Sequence, residues 1–236
     1  MKKPKYQRIL LKLSGEALSA GQDGILNFDF IKVVAKQIKR CLDAGVQVAV
    51  IVGAGNIWRG RQGTGMDQCR ADHMGMLSTI VNSLALEDVF TREGMKARVM
   101  TAVEMKAFAD TYTSRDAIDA LERGEVVILG GGLGIPFFST DTAAALRAAE
   151  IGADCILLAK NIDGIYNADP QKDPNAVRYT DLTYAEMVEK NLRALDLSAS
   201  TICMDNNING YAFGLADPEN IWRVVMGESV GTAIHN

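Results

Sequence analysis

The 236 residues are 48% hydrophobic and 23% charged, an ordinary globular mixture that can bury a substantial core in one large domain or two small lobes. A formal net charge of −4 excludes the broad basic surface of a non-specific nucleic-acid binder but leaves room for a few cations and helix N-termini that bind an anionic small molecule. Lys12 cuts the first apolar run, no stretch approaches the ~20 residues of a membrane span, and Cys41, Cys69, Cys155 and Cys203 form no zinc or C-x-x-C pattern, so a soluble cytoplasmic protein with reduced thiols is expected.

Along the chain, Gln7–Leu13 reads as a buried strand ending in a Ser-Gly turn. Phe28, Ile31, Val34, Ala35, Ile38 and Leu42 keep a helical period that Gly45 stops. Gln47–Val52 is a second buried strand, and a glycine-rich loop, Gly53–Gly65, follows. A long Met- and Leu-rich helix is predicted over about 72–91, its apolar residues assigned to the core over an interface on burial tendencies. Further strands are predicted at Ala97–Met100, Glu125–Leu129 and Cys155–Ala159, with helices near 114–123 and 141–151. The alternation indicates an α/β protein with a mainly parallel sheet. Beyond Lys160, the polar stretch Asn161–Asn175 carries two Asp-Pro steps and reads as a long surface loop. Thr183-Tyr184-Ala185-Glu186 is a capping box, and Asp217-Pro218 is read as cap and first residue of a last helix stopped by Gly227. One domain, 1–236, is expected, with an acceptor-binding half to about 153 and a nucleotide-binding half after it.

Ligands in open α/β sheets collect beyond the carboxyl ends of the strands. Four such ends carry polar or glycine-rich material: Lys12-Leu13-Ser14-Gly15, Gly53 to Gly60, Gly130 to Thr142, and Lys160 to Gly164. Loops of this kind expose backbone N–H groups that bind anions. The Walker A pattern is absent, because no glycine precedes a lysine. A dinucleotide fingerprint fails because Trp58 stands where its third glycine should be. Lys12, in an apolar strand end, is either a phosphate ligand or a snorkelling surface lysine. Arg59 is either a bidentate phosphate grip or a rim ion pair. Asp141 is an N-cap that can also hold a lysine ammonium or a magnesium ion. His73 reads as a structural histidine, since a phosphate acceptor is already anionic at neutral pH, with a second pKa of about 6.

Taken together, the runs Arg8 to Leu18, Gly55 to Gly60, Ala71-Asp72-His73-Met74-Gly75-Met76, Pro136 to Asp141, Ile162 to Pro170, Leu195 to Ala199 and Arg223 to Gly227 resemble the bacterial uridylate kinases, members of the amino acid kinase superfamily. The resemblance runs in unbroken order from Gln7 to Ile234. It implies a three-layer α/β/α sandwich, a homohexamer, transfer of the ATP γ-phosphate to UMP with Mg2+ in pyrimidine nucleotide biosynthesis, activation by GTP and inhibition by UTP. Position by position it implies catalytic roles for Lys12, Arg59 and Asp141. ATP contacts fall on Lys12, Leu13, Ser14, Gly15, Gly55, Arg59, Asn161, Tyr166 and Asp169. UMP contacts fall on Ala54, Asp72, Leu133, Gly134, Ile135, Pro136, Phe137, Phe138, Ser139 and Thr140, with Asp72 on the ribose. The segment Ala20, Gly21, Gln22, Asp23, Gly24 and Ile25 is linked to GTP activation. No protein metal ligand is assigned.

This sequence departs from the family pattern in places. Ala54 replaces a usual glycine, Leu133 a common threonine and Ile135 a frequent asparagine or serine, while Lys160-Asn161 replaces a Thr-Lys order. A same-fold kinase of carbamate or an amino-acid carboxylate, and a non-catalytic nucleotide-binding regulator, are the alternatives. The former has no use for Asp72 as a ribose ligand.

Overall fold

The five strands expected from the sequence pair in parallel, and their neighbours extend them into one nine-stranded sheet. In this computed structural model, which describes residues 3–19, 23–58, 65–192 and 194–236, the strands are β1 (Arg8–Leu13), β2 (Gln47–Val52), β3 (Ala97–Thr101), β4 (Asp110–Thr111), β5 (Val126–Gly130), β6 (Cys155–Lys160), β7 (Asp181–Thr183), β8 (Asn209–Gly214) and β9 (Gly231–His235). Their order across the sheet is β4-β3-β5-β2-β1-β6-β8-β9-β7. Among the strands of the described residues, only β8 and β9 pair antiparallel. The helices are α1 (Phe28–Asp43), α2 (Gln68–Arg92), α3 (Ser114–Glu122), α4 (Thr140–Ile151), α5 (Tyr184–Glu189), α6 (Leu197–Asp205) and α7 (Asn220–Val225).

Strand periodicity builds two cores, one on each face. Ile9, Leu11 and Leu13 of β1 join Val48, Val50 and Val52 of β2 on the face covered by α1, α2 and α7, where Ile31, Phe90 and Ile221 pack. Leu10 turns the other way, with Ala49, Ile51, Ile156 and Leu158, against the alanines of α4 and residues of α3, α5 and α6. Small side chains on α4, among them Ala143, Ala144, Ala145 and Ala148, are fully buried and let that helix lie close to the sheet centre. The result is the expected three-layer α/β/α arrangement.

Local signals set most boundaries. Asn27 caps α1 by accepting the Phe30 N–H, and Thr183 and Glu186 form the expected capping box on α5. Two expectations are corrected. Helix α2 begins at Gln68, capped by Asp67, and is apolar on more than its core side: Met74, Leu77 and Val81 are exposed while Ile80, Leu86 and Phe90 are buried. The Met-rich helix is therefore not a simple core stripe. The last helix opens at Asn220, since Asp217 caps a turn by accepting the Glu219 N–H at 3.0 Å, which leaves Pro218 outside. Beyond these, α6 and the strands β4, β7, β8 and β9 were not read from the sequence; their short runs lack the periodicity that marks the longer elements.

Candidate active site

The four loops singled out in the sequence lie at one edge of the sheet, because β1, β2, β5 and β6 are neighbours that all run parallel. Side-chain alternation then aims the lysines. Lys12 lies two residues beyond Leu10, and Lys160 two beyond Leu158, so both ammonium groups leave the sheet on the α4 face. Lys12 stands opposite Leu158 in the register and Lys160 opposite Gly214.

The N-terminus of α4 meets them. Ser139, and not Asp141, is the N-cap: its Oγ accepts the N–H groups of Asp141 (3.0 Å) and Thr142 (3.2 Å). Asp141 occupies the first turn, and its carboxylate forms an ion pair with the Lys12 ammonium in which both side chains are mostly buried. Lys12 therefore does not snorkel to the surface. A second ammonium, that of Lys160, was not placed among the site residues by sequence reasoning; its signal was the same period of two along β6. It donates to the Ala194 carbonyl. Burial, reinforced by the Lys12 charge and opposed by Asp141, pushes its pKa down to about 8. Two cations thus flank one carboxylate, an arrangement that attracts a further anion.

On one side of this junction is a cavity of about 280 Å³, lined by Ala54, Gly55, Asp72, Leu133, Ser139 and Thr140 together with Trp58 and Thr79. It gathers expected acceptor residues from the loop after β2, from α2 and from the loop after β5. Asp72 accepts from the backbone N–H of Phe137 at 2.8 Å and from the Gln68 amide at 2.8 Å. Phe137 sits at φ +71°, unusual for a non-glycine residue, with its ring 74% exposed. Phe138 also lines the cavity, whereas Gly134, Ile135, Pro136 and Phe137 belong to the same loop without lining it. Leu133 packs against the core, and Ile135 is exposed. Trp58, which ruled out the dinucleotide fingerprint, donates through its indole N–H to the Ala71 carbonyl at 2.9 Å and walls the cavity. His73, read as a structural histidine, is solvent-exposed on α2 and lines none of the cavities described here.

On the other side lie two cavities that share Asn191 and Leu192. One, of about 570 Å³, holds Asp141 and Asp196; the other, of about 490 Å³, holds Lys160, Tyr166 and Asp169. Asn161 lies away from both, exposed, with its amide 3.5 Å from a Glu16 carboxylate oxygen. The Leu13 side chain is core, and its carbonyl accepts the Gly53 N–H at 3.0 Å, so it offers a ligand no side chain. Ser14 stands at the mouth of the β1 turn, partly exposed. Gly15 has no substitute: a Cβ there would lie 2.5 Å from the Gly53 carbonyl oxygen and 2.6 Å from the Gly55 nitrogen. Arg59, Ala20, Gly21 and Gln22 lie outside the described residues, while Asp23, Gly24 and Ile25 are exposed ahead of α1.

Below the junction, the amides of Asn56 and Asn82 bond to each other in both directions, at 2.8 and 2.9 Å. Asn82, fully buried, also donates to the Gly53 carbonyl (2.9 Å), and Asn56 to the Ile25 carbonyl (2.6 Å). Sequence reading quoted Asn56 within its loop without a role and passed over Asn82.

The chain that carries these residues is similar to known proteins along nearly its whole length. Residues 7–213 match the family model of the amino acid kinase family. The UMP kinase of Bacillus anthracis superimposes with a TM-score of 0.94 at 37% identity, over 98% of this chain and 96% of that one. That of Ureaplasma parvum gives 0.93 at 35% identity over the whole of both chains. The uridylate kinase of Archaeoglobus fulgidus is more distant, with a TM-score of 0.74 at 30% identity, over 96% of this chain and 99% of that one.

Proposed function

This chain belongs to the amino acid kinase family and, within it, to the bacterial UMP kinases, and from that premise we propose how its site converts ATP and UMP to ADP and UDP. The observation that carries the reading is the Lys12–Asp141 ion pair in the first turn of α4, where Ser139 and Thr140 line one cavity and Asp141 a second, with Lys160 lining a third. The UMP phosphate is the nucleophile and needs no base; the site supplies positioning and positive charge. Asp72 orients the acceptor, Lys12 and Lys160 neutralise charge on the transferred phosphoryl group, and Asp141 fixes Lys12. Chain halves to about 153 and beyond it serve acceptor and donor respectively.

The hard carboxylate oxygens of Asp141 at this junction suit a magnesium ion carried in by the ATP phosphates, and Asp141 would be the side chain to hold it. When bound, the ion would supply further positive charge against the phosphate oxygens. The remaining assignments are cytoplasmic residence, a place in pyrimidine nucleotide biosynthesis, a homohexamer, activation by GTP and inhibition by UTP. Support for self-association comes from the exposed apolar residues Met74, Leu77 and Val81, which lie along one stripe of α2. For regulation, the hydrogen bond from Asn56 to Ile25 joins the segment assigned to GTP with the phosphate loop. Among the described residues, no helix is long and apolar enough to cross a membrane.

The test is ADP production with ATP and magnesium across UMP, CMP, dUMP, carbamate, aspartate and acetylglutamate, with and without GTP. Turnover on UMP is expected. Turnover confined to carbamate or an amino acid would overturn the reading, and none with any acceptor would favour a regulator.

A further inference from the structure

We infer that Asp196 is a positioning residue for phosphoryl transfer, holding the first turn of α4, and Asp141 with it, in place across the two halves of the site. Asp196 caps α6, its Oδ1 accepting the Ala199 N–H at 2.7 Å. The same carboxylate accepts the Ser139 hydroxyl and lies 3.0 and 3.1 Å from Thr142 Oγ1. Ser139 already accepts two backbone N–H groups, so its hydroxyl hydrogen is directed at Asp196. Thr142 is 3% exposed, and its buried hydroxyl needs that acceptor.

Ser139 and Thr142 bracket Asp141 on the turn that holds Lys12. One carboxylate therefore fixes two helix N-termini, α4 from the acceptor side and α6 from the donor side, where each dipole favours negative charge. The hydroxyls and the Ala199 N–H engage both carboxylate oxygens. An asparagine cannot reproduce this, because its NH2 would face a hydroxyl oxygen that has already accepted two donors or the N–H of Ala199. Asp196 lines the same cavity as Asp141 but is committed to these donors, so its effect on the reaction runs through the α4 turn.

The inference rests on the reading of Asp141 as organiser of the transferring phosphate, and a double-mutant cycle separates the two. The variants are Asp141→Asn, Asp196→Asn, the pair together, and Thr142→Val alone and with Asp141→Asn, each with its Tm, kcat and both KM values. Small displacements at a reacting centre are costly, so Asp196→Asn is expected to lower kcat about tenfold or more while KM for ATP and UMP stays within about twofold. Added to Asp141→Asn, it is expected to cost no more than about twofold further, because it acts through a group already lost. Losses that multiply, or that reside wholly in KM, would overturn the proposal. If Asp196→Asn does not fold, Thr142→Val, which removes a single hydroxyl, carries the same comparison with a smaller loss. Full turnover in Asp141→Asn removes the premise and the proposal together; a loss there with none in Asp196→Asn or Thr142→Val removes the proposal alone.

Discussion

The amides of Asn56 and Asn82 satisfy each other beneath the phosphate loops, with two reciprocal hydrogen bonds of 2.8 and 2.9 Å. Each NH2 group spends its second hydrogen on a backbone carbonyl, Gly53 for Asn82 and Ile25 for Asn56. The pair thereby ties α2, which carries Asp72, to the loop after β2 and to the segment before α1. Asn56 also lies against Gly15, since a Cβ on that glycine would come within 2.8 Å of its Oδ1.

Asn82→Leu is expected to destabilise the protein by about 1–3 kcal/mol, because it strands a buried amide and the Gly53 carbonyl. Turnover should fall as the loop relaxes. Replacing both asparagines by leucine should recover part of the stability without recovering turnover. Urea denaturation beside kcat measures both, and a single variant as stable as its parent would refute the role.

Asp72→Ala is expected to weaken UMP binding about tenfold or more and to leave ATP binding little changed. The carboxylate also holds the Phe137 N–H, so the loop that keeps Phe137 at positive φ loses its anchor. Calorimetry decides the matter: an unchanged UMP affinity would exclude a ribose contact.

Lys160 gives a pH dependence of known sign. Below pH about 8 the lysine is charged in folded and unfolded chains alike, and its burial costs stability. Between about 8 and the ordinary value of 10.5 the folded protein binds fewer protons than the unfolded chain, so this group's contribution to stability rises with pH. Lys160→Met should therefore be more stable than its parent at pH 7, by about 1–3 kcal/mol, with the gap closing toward pH 10. Turnover should fall. A constant gap across that range would assign the effect to packing.

Leu77→Glu tests self-association through α2. A charge on the exposed stripe is expected to lower the assembled mass in sedimentation while leaving the far-ultraviolet spectrum unchanged. Retention of the parent's mass would place the subunit contact elsewhere.

Much of this protein was legible in the residues themselves. The apolar runs of β1, β2 and β5, the helical period from Phe28 to Leu42 and the capping box at Thr183 are local patterns, and local stereochemistry is enough to turn them into elements. Glycine-rich strand ends named the loops of the site for the same reason. Asn82 and Asp196 were beyond local reading, because their meaning depends on partners 26 and 57 residues away, at Asn56 and Ser139. A buried asparagine in a helix looks like any helical polar residue until the loop it bonds is seen. Asp141 reads as a cap that can also hold a lysine ammonium; Ser139 takes the cap, and the carboxylate is left to Lys12. Sequence by itself determined the α/β alternation and the chemistry available at each strand end, since both follow from backbone periodicity. Only the tertiary structure decided which cation meets which carboxylate, because the parallel order β2-β1-β6 brings distant strand ends within reach of one helix N-terminus.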